Sequence, residues 1–207
     1  MITGDKLVSW DIYIEGPNNK LNNKVIKDNL NLTGCLTLAD IKVLDINIIS
    51  NNTSCEDSVN LIRVTGTINN VSISNSNSDG IDLDFSEVKI NNMKFKNILN
   101  DCVDMSFGSY KINKIQASGC GDKGVSVGEK TNLFLKDIEL ENANIGLAAK
   151  DSSTAVVEES NIINTPICFA SYRKKQEFSG STILIKSTNC RNDKMSSQIG
   201  SKITLGL

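Results

Sequence analysis

Histidine is absent from the 207 residues, proline occurs twice and tryptophan once, and aromatic residues make up 5% of the chain. Without histidine, and with none of the six cysteines in a C-x-x-C pair, a zinc site is not expected. No apolar run approaches the roughly 20 residues that a membrane-spanning helix needs, so no membrane insertion is expected. No charged-then-apolar segment opens the chain. The expectation is therefore either a cytosolic protein or a piece of a longer one. A fragment would favour an extracellular or cell-surface place, with other domains of the longer chain as partners. A net charge of -2, with acids and bases interspersed, argues against a nucleic-acid partner.

What the chain has in abundance is asparagine, 26 residues in all, a residue suited to turns because it tolerates left-handed backbone. It also has a repeat. In "NSDGIDLDFS", Asn77 to Ser86, the apolar Ile81, Leu83 and Phe85 alternate with Asp82 and Asp84. Alternation of period two describes a half-buried strand, with the three apolar residues expected inside and the aspartates outside. The pattern returns as "NDCVDMSFGS" from Asn100, "GDKGVSVGEK" from Gly121, "NIGLAAKDSS" from Asn144 and "PICFASYRKK" from Pro166. The residue before each alternation is Gly80, Cys102, Gly124, Gly146 and Cys168, each 22 positions after the last. Stepping back by 22 reaches Ser58 and then Leu36, while the alternation has failed at Cys190, so the repeat is expected from Leu36 to Phe169 with atypical ends.

A period in the low twenties, with β-branched strands and Gly/Asn turns, marks a solenoid. The fixed L-x-x-L-x-L of leucine-rich repeats is missing. Further short strands are expected at Val71–Ile73, Met93–Phe95, Ile115–Ala117 and Ile138–Leu140, and at Val88–Ile90, Tyr110–Ile112 and Leu133–Leu135. Three short strands per coil describe an all-β, parallel β-helix, expected to be right-handed from the usual chirality of parallel connections. The whole chain, 1–207, then reads as one domain. Residues 1–33 form an N-terminal cap and first strand, where Trp10, Ile12 and Ile14 alternate before "NNKLNNKVIKDNL"; 34–190 form the coils, and 191–207 a C-terminal cap ending in "GSKITLGL". Such covers are needed because an open terminal coil exposes its core and a row of unpaired strand groups. The basic "RKKQEF", Arg173 to Phe178, extends one turn as a solvated loop or a binding lip.

Cys102 and Cys168 share a column three coils apart, roughly 14 Å at the strand spacing and beyond disulfide reach, whereas Cys168 and Cys190 are neighbours if the repeat continues. Buried, reduced packing residues are expected at the cysteines.

Stacking puts positions 22 apart about 4.8 Å from one another. One outward column reads Asn60, Asp82, Asp104, Ser126, Ala148, Ala170; the next reads Asp84, Ser106, Gly128, Lys150, Tyr172; and the turn column reads Asp57, Asp79, Asp101, Lys123, Ile145. Two carboxylates ~5 Å apart repel by roughly 1 kcal/mol in water and ~3 kcal/mol at an effective dielectric of 20. Three readings compete for what offsets this: bound cations, with Asp82 and Asp104 as calcium ligands; a proton shared as in catalytic carboxylate pairs; or solvation helped by Lys123 and Lys150.

At these turns the residues resemble polygalacturonases, right-handed β-helix glycoside hydrolases of the pectate-lyase-like superfamily, whose successive coils carry N-T-D-G, D-D, G-H-G and R-I-K. The corresponding places here hold "NSDG" (Asn77 to Gly80), "NDC" (Asn100 to Cys102), "DKG" (Asp122 to Gly124) and "AAK" (Ala148 to Lys150). The resemblance implies Asp79 and Asp101 as the catalytic carboxylates and Lys150 as the holder of a sugar carboxylate. Asn100 stands where the family has its general acid, Lys123 where it has histidine, and Ala148 where it has arginine. An amide has no proton to give a leaving group. The consecutive wording "DGIDLDFS", "NDCVDMSFGS", "DKGVSVGEKT", "IGLAAKDSS" and "SYRKKQEF" is also similar to β-helix regions accompanying spore-coat protein H-type kinase-like proteins, which implies a bacterial surface or envelope-polysaccharide setting.

These readings converge on a carbohydrate-interacting module, probing a polysaccharide or oligosaccharide through Asp82, Asp84, Asp104, Asp122, Lys123 and Lys150 and lacking hydrolytic power. One alternative is a glycosidase, lyase or epimerase that uses Asp79 and Asp101 as acid and base. The other is a purely structural spacer.

Overall fold

The computed structural model describes residues 1–17 and 32–206. The segment read as leading into the first coil, Asn18 to Leu30, lies outside the described residues. Seventeen strands and one short 3-10 turn are present among those described, with no α-helix. Three strands open the chain: β1 (Ile2–Thr3), β2 (Lys6–Val8) and β3 (Asp11–Glu15). The coils continue through β4 (Gly34–Ala39), β5 (Lys42–Thr53), β6 (Asp57–Ile62), β7 (Thr65–Ser76), β8 (Asp79–Asp84), β9 (Glu87–Ile98) and β10 (Val103–Ser106). Two long strands follow, β11 (Ser109–Val127) and β12 (Asn132–Lys150), and then β13 (Thr154–Ile163), β14 (Ile167–Tyr172), β15 (Thr182–Thr188), β16 (Met195–Ser197) and β17 (Lys202–Leu205).

Every pairing is parallel and joins positions one coil apart, so the chain is a β-solenoid of about 8 turns with coils of about 22 residues. Each coil has three flat segments. The first holds the acidic repeat; the other two run on as one bent strand, as in β9, and in β11 and β12 the strand also carries into the next coil's first segment. Stacking extends past the expected span at both ends. Ile2 pairs with Leu38 and Asp11 with Asn47, so residues 2–15 form a coil of their own; at the far end Phe169 pairs with Met195 and Ile183 with Ile203.

The inward stack is continuous. Val59, Ile81, Val103, Val125, Leu147 and Phe169 are paired in register and have no exposed surface. Burying a side chain of this size stabilises by about 1.5–3 kcal/mol, and the solenoid repeats the gain at each coil. Tyr110 also lies inside, where its hydroxyl donates to the Leu83 carbonyl at 2.8 Å.

Phe85 departs from the expected inward alternation: it is 55% exposed with φ +50°. The chain turns its first corner immediately after Asp84, so the period-two pattern ends there and the next side chain is thrown outward. The same left-handed corner recurs at Asp40, Arg63, Phe107, Lys130 and Asp151. A second corner is left-handed at Asn52, Asn75, Asn97, Asn142 and Asn164, where Asn75 donates to Asn52 at 3.2 Å and Asn97 to Asn75 at 3.1 Å. Five of the described asparagines thus occupy left-handed corners, as the residue's tolerance of that backbone predicts, while others form side-chain ladders from coil to coil, as Asn70 does to Asn47 and Asn92 to Asn70.

The cysteines are not reduced. Disulfides join Cys35 to Cys55, Cys102 to Cys120 and Cys168 to Cys190, with Cα separations of 5.4, 5.5 and 6.4 Å, and no described cysteine is free. Column-mates alone misjudge this geometry, because a chain that closes a turn also brings residues across a corner together. Cys120 stacks on Ile98, which lies just across the corner from Cys102. Only the Cys168–Cys190 neighbourhood was visible as a whole coil step.

The "RKKQEF" segment is an insertion. Asn132 pairs with Thr154, 22 positions on, but Thr154 pairs with Thr182, 28 positions on. The extra residues form an exposed loop that is fastened rather than free. Lys174 and Lys175 donate their main-chain N–H groups to Asp151 at 2.6 and 2.8 Å, and the Lys175 ammonium meets Glu129 at 2.5 Å.

Candidate functional site

The first face of the solenoid carries the acidic columns in the expected register: Asp57 beside Asp79, Asn60 beside Asp82 beside Asp104, and Asp104 beside Ser126. In the turn column the carboxylates are used by the backbone. Asp79 Oδ1 accepts the N–H of Asp101 at 2.8 Å, and Asp101 Oδ1 accepts the N–H of Lys123 at 2.9 Å. Each aspartate thus satisfies a main-chain donor one coil on. The Lys123 ammonium lies 3.3 Å from Asp101 and also contacts Asp122.

Next to them, the strand alternation aims Asp82 and Asp84 out of the same face, and both converge on the amide of Asn60, whose Nδ2 is 3.4 Å from Asp82 and 3.3 Å from Asp84. Asp104 accepts the N–H of Met105 at 3.0 Å and has the Lys150 ammonium 3.8 Å away. Lys150 does not project outward into solvent, as its column suggested. Only 6% of it is exposed, because its chain lies back over Gly128, where an added Cβ would come within 3.1 Å of the lysine Cε. The sequence-derived residues are therefore brought together, but both lysines are already paired with carboxylates of the face.

Burial dominates the electrostatics. It pushes Asp82 up to about 9, with Asp84 and Asp57 adding repulsion. Asp79 is pushed up to about 7 by burial, which outweighs its bond from Asp101, and Asp57 to about 6 despite a bond from Thr33. Burial also raises Asp84, against its bonds from Asn60 and Asp82, and Asp101, against the attraction of Lys123. A carboxylate crowded against others away from water keeps its proton more tightly. Crowding away from water thus favours the protonated forms of both Asp82 and Asp84.

Several buried oxygens of this face have no hydrogen-bond partner: Asp57 Oδ2, Asn60 Oδ1 and Ser126 Oγ. Asp57, Asn60 and Ser126 are 3%, 1% and 0% exposed. Among the described residues no group of three or more acidic or cysteine side chains converges as a metal site would require.

Alternation in the sequence did not reveal the aromatic edge. Phe85 and Phe107, at successive first corners, stack with centroids 4.9 Å apart and planes 3° from parallel. Phe178, from the inserted loop, meets Phe107 edge-on at 6.1 Å, and the Lys130 ammonium lies 6.0 Å from the Phe178 ring. The available signal was the spacing of Phe85 and Phe107 by one coil, together with a phenylalanine in the "RKKQEF" insertion. Surface depressions at Lys89, Tyr110 and Phe134 and at Phe95, Ala117 and Leu140 lie on the other two faces.

No family model matches the chain, no curated protein is detectably similar to it, and no solved structure matches it. The resemblances to polygalacturonases and to kinase-associated β-helix regions rest on motif wording, and the assignment that follows from the structure is a parallel β-solenoid.

Proposed function

We propose that the protein is a carbohydrate-interacting solenoid module that holds a glycan along its acidic face without hydrolysing it. The observation that carries this reading is the aromatic edge beside the polar face. A sugar ring has a polar rim and an apolar C–H face, so it is served by hydrogen-bonding groups next to aromatic rings. The corner backbone gives no reason for phenylalanine. A left-handed position favours Gly, Asn or Asp, as at Asp40 and Asp151, and costs a bulky residue of order 1–3 kcal/mol. Two stacked rings at such positions support a role for the rings themselves.

Absence of hydrolysis is supported by Asn100, which has no proton for a leaving group, and by the use of Asp79 and Asp101 as main-chain acceptors. Three disulfides favour an oxidising, extracellular or cell-surface place, because cytosolic thiols are kept reduced. The residue wording of the kinase-associated regions points to bacterial surface polysaccharide.

The test is a glycan array followed by titration, with Phe107→Ala as the probe variant. Loss of a ring stack worth about 0.5–1.5 kcal/mol should weaken binding by up to about tenfold. Reducing-end release from polygalacturonan that vanishes in Asp101→Asn would overturn the non-hydrolytic reading. A second reading, a rigid spacer, is favoured by the main-chain duty of Asp79 and Asp101, and it predicts that no glycan binds.

A further inference from the structure

We infer that the face made by the third flat segments of the coils, residues 92–96 of β9, 114–118 of β11 and 137–141 of β12, is a surface for a second copy of this chain, docked face to face with the two solenoid axes antiparallel. This surface is separate from the acidic face and does not rest on the glycan reading.

Register fixes the charge pattern. Lys94 lies beside Gln116 and Gln116 beside Glu139, while in the next outward column Lys96 lies beside Ser118 and Ser118 beside Glu141. Down both columns one coil is basic, the next uncharged and the third acidic. The charges therefore stand at equal heights, about 4.8 Å, above and below the coil that carries Gln116 and Ser118. A shallow groove of about 320 Å³ crosses the same three coils, lined by residues 94–96, 116–118 and 139–141 and continuing to Ile163. The charges are also accessible. Lys94 and Lys96 are exposed, and among the described residues neither of them, nor Glu141, takes part in an ion pair. Glu139 meets Lys114 at 2.7 Å yet keeps 45% of its side chain exposed.

Two copies that meet through the same face are related by a two-fold axis lying in the plane of contact. With that axis along the strand of Gln116 and Ser118, each column faces itself with its heights inverted. Lys94 then meets the other copy's Glu139, Lys96 meets its Glu141, and each pair occurs twice. The exposed Ile163, two coils below the axis, comes opposite Ser74, two coils above it in the same column. With the axis along the solenoid instead, heights are kept and the columns exchange, so Lys94 meets Lys96 and Glu139 meets Glu141. Like charges set opposite one another select against that arrangement. Lys114, which falls on the strand-wise axis, is already neutralised by Asp137 at 3.1 Å and Glu139 at 2.7 Å. Five coils by five strand residues cover roughly 24 by 16 Å, or about 400 Å² a side. A standard interface takes about 800 Å² from each partner, so the dimer is a weak, reversible one.

Sedimentation velocity across the micromolar to millimolar range, at low and at high salt, tests this. A monomer–dimer equilibrium that weakens as salt rises is expected. Lys96→Glu and Glu141→Lys should each weaken the dimer by about tenfold, because either change turns two attractive pairs into two repulsive ones. Mixed in equal amounts, the two variants should recover the dimer, since both pairs are then attractive again. Melting curves that match the parent chain establish that each variant is folded. A chain that stays monomeric throughout, a dimer that ignores both substitutions, or weakened variants that mixing does not restore would each overturn the inference.

Discussion

From Asn60 to Asp104 the outward column of the first face is polar and acidic, whereas from Ser126 through Ala148 to Ala170 it is small and largely apolar. Both halves keep the same parallel register. Ala148 and Ala170 occupy this position with 0% and 5% exposure, so a coil does not need a carboxylate there. The acids of the upper half are therefore an addition to the solenoid, and an unfavourable one, since burial lifts Asp82 and Asp84 away from their ordinary ionisation. What this difference teaches is that backbone geometry and surface chemistry vary independently along a solenoid.

The strongest way to test that separation is to move a charge one residue inward. Val103→Asp puts a carboxylate into the stack between Ile81 and Val125, beside Asp104, which carries the same group on the outside. A buried unpaired charge costs more than the few kcal/mol of net stability a domain has. Circular dichroism should show loss of the cooperative melt in this variant.

A smaller effect is expected at the Cys102–Cys120 bridge, which spans the boundary between the two halves with a sequence separation of 18. Closing a loop of this size stabilises by about 3 kcal/mol. Replacing both cysteines by alanine should lower Tm by about 6–12 °C, at 2–4 °C per kcal/mol, in calorimetry. An unchanged Tm would mean that the stack holds the corner without the bridge.

The acids themselves should show in the pH dependence of stability. Their folded values lie above the ordinary 3.8, so between the two values the folded chain binds more protons than the unfolded one and stability falls as pH rises. The decline runs from about pH 4 through about 6 for Asp57 and about 7 for Asp79, towards about 9 for Asp82. Tm should be several degrees higher at pH 5 than at pH 8, and Asp82→Asn should flatten the slope. A Tm that climbs over this interval would show that the acidic half is stabilised by ionisation.

The smallest effect belongs to calcium. Ca²⁺ requires six to eight oxygens, and the carboxylates of the face, Asp82 and Asp104 included, do not gather in such a group. Millimolar Ca²⁺ or EDTA should leave Tm unchanged; a rise that Asp104→Asn removes would restore the calcium reading of the acidic half.

How much was legible in the sequence follows the same division. The stack from Val59 to Phe169 and the neighbouring of Asp82 with Asp104 were readable because a period of 22 maps sequence distance directly onto coil height. Phe85 was misplaced because alternation reports which face a residue takes only while the strand lasts, and the strand ends at Asp84. The cysteines were misread because comparison within a column cannot see contacts across a corner. The outward column of Lys150 gives the direction of its Cα–Cβ bond and not the fold of its four-carbon chain over Gly128.

The sequence by itself determined the coil, its period, its core and the order of charges down each column, because these depend on local alternation and on repetition, which one dimension can record. Only the tertiary structure decided which cysteines join, that the inserted loop is pinned to Glu129 and Asp151, and that two phenylalanines flank the acids. It alone also showed that Asn60 and Asp57 keep acceptors without donors. Those outcomes depend on where corners fall and on what surrounds a side chain away from water, and neither is written in the spacing of residues along the chain.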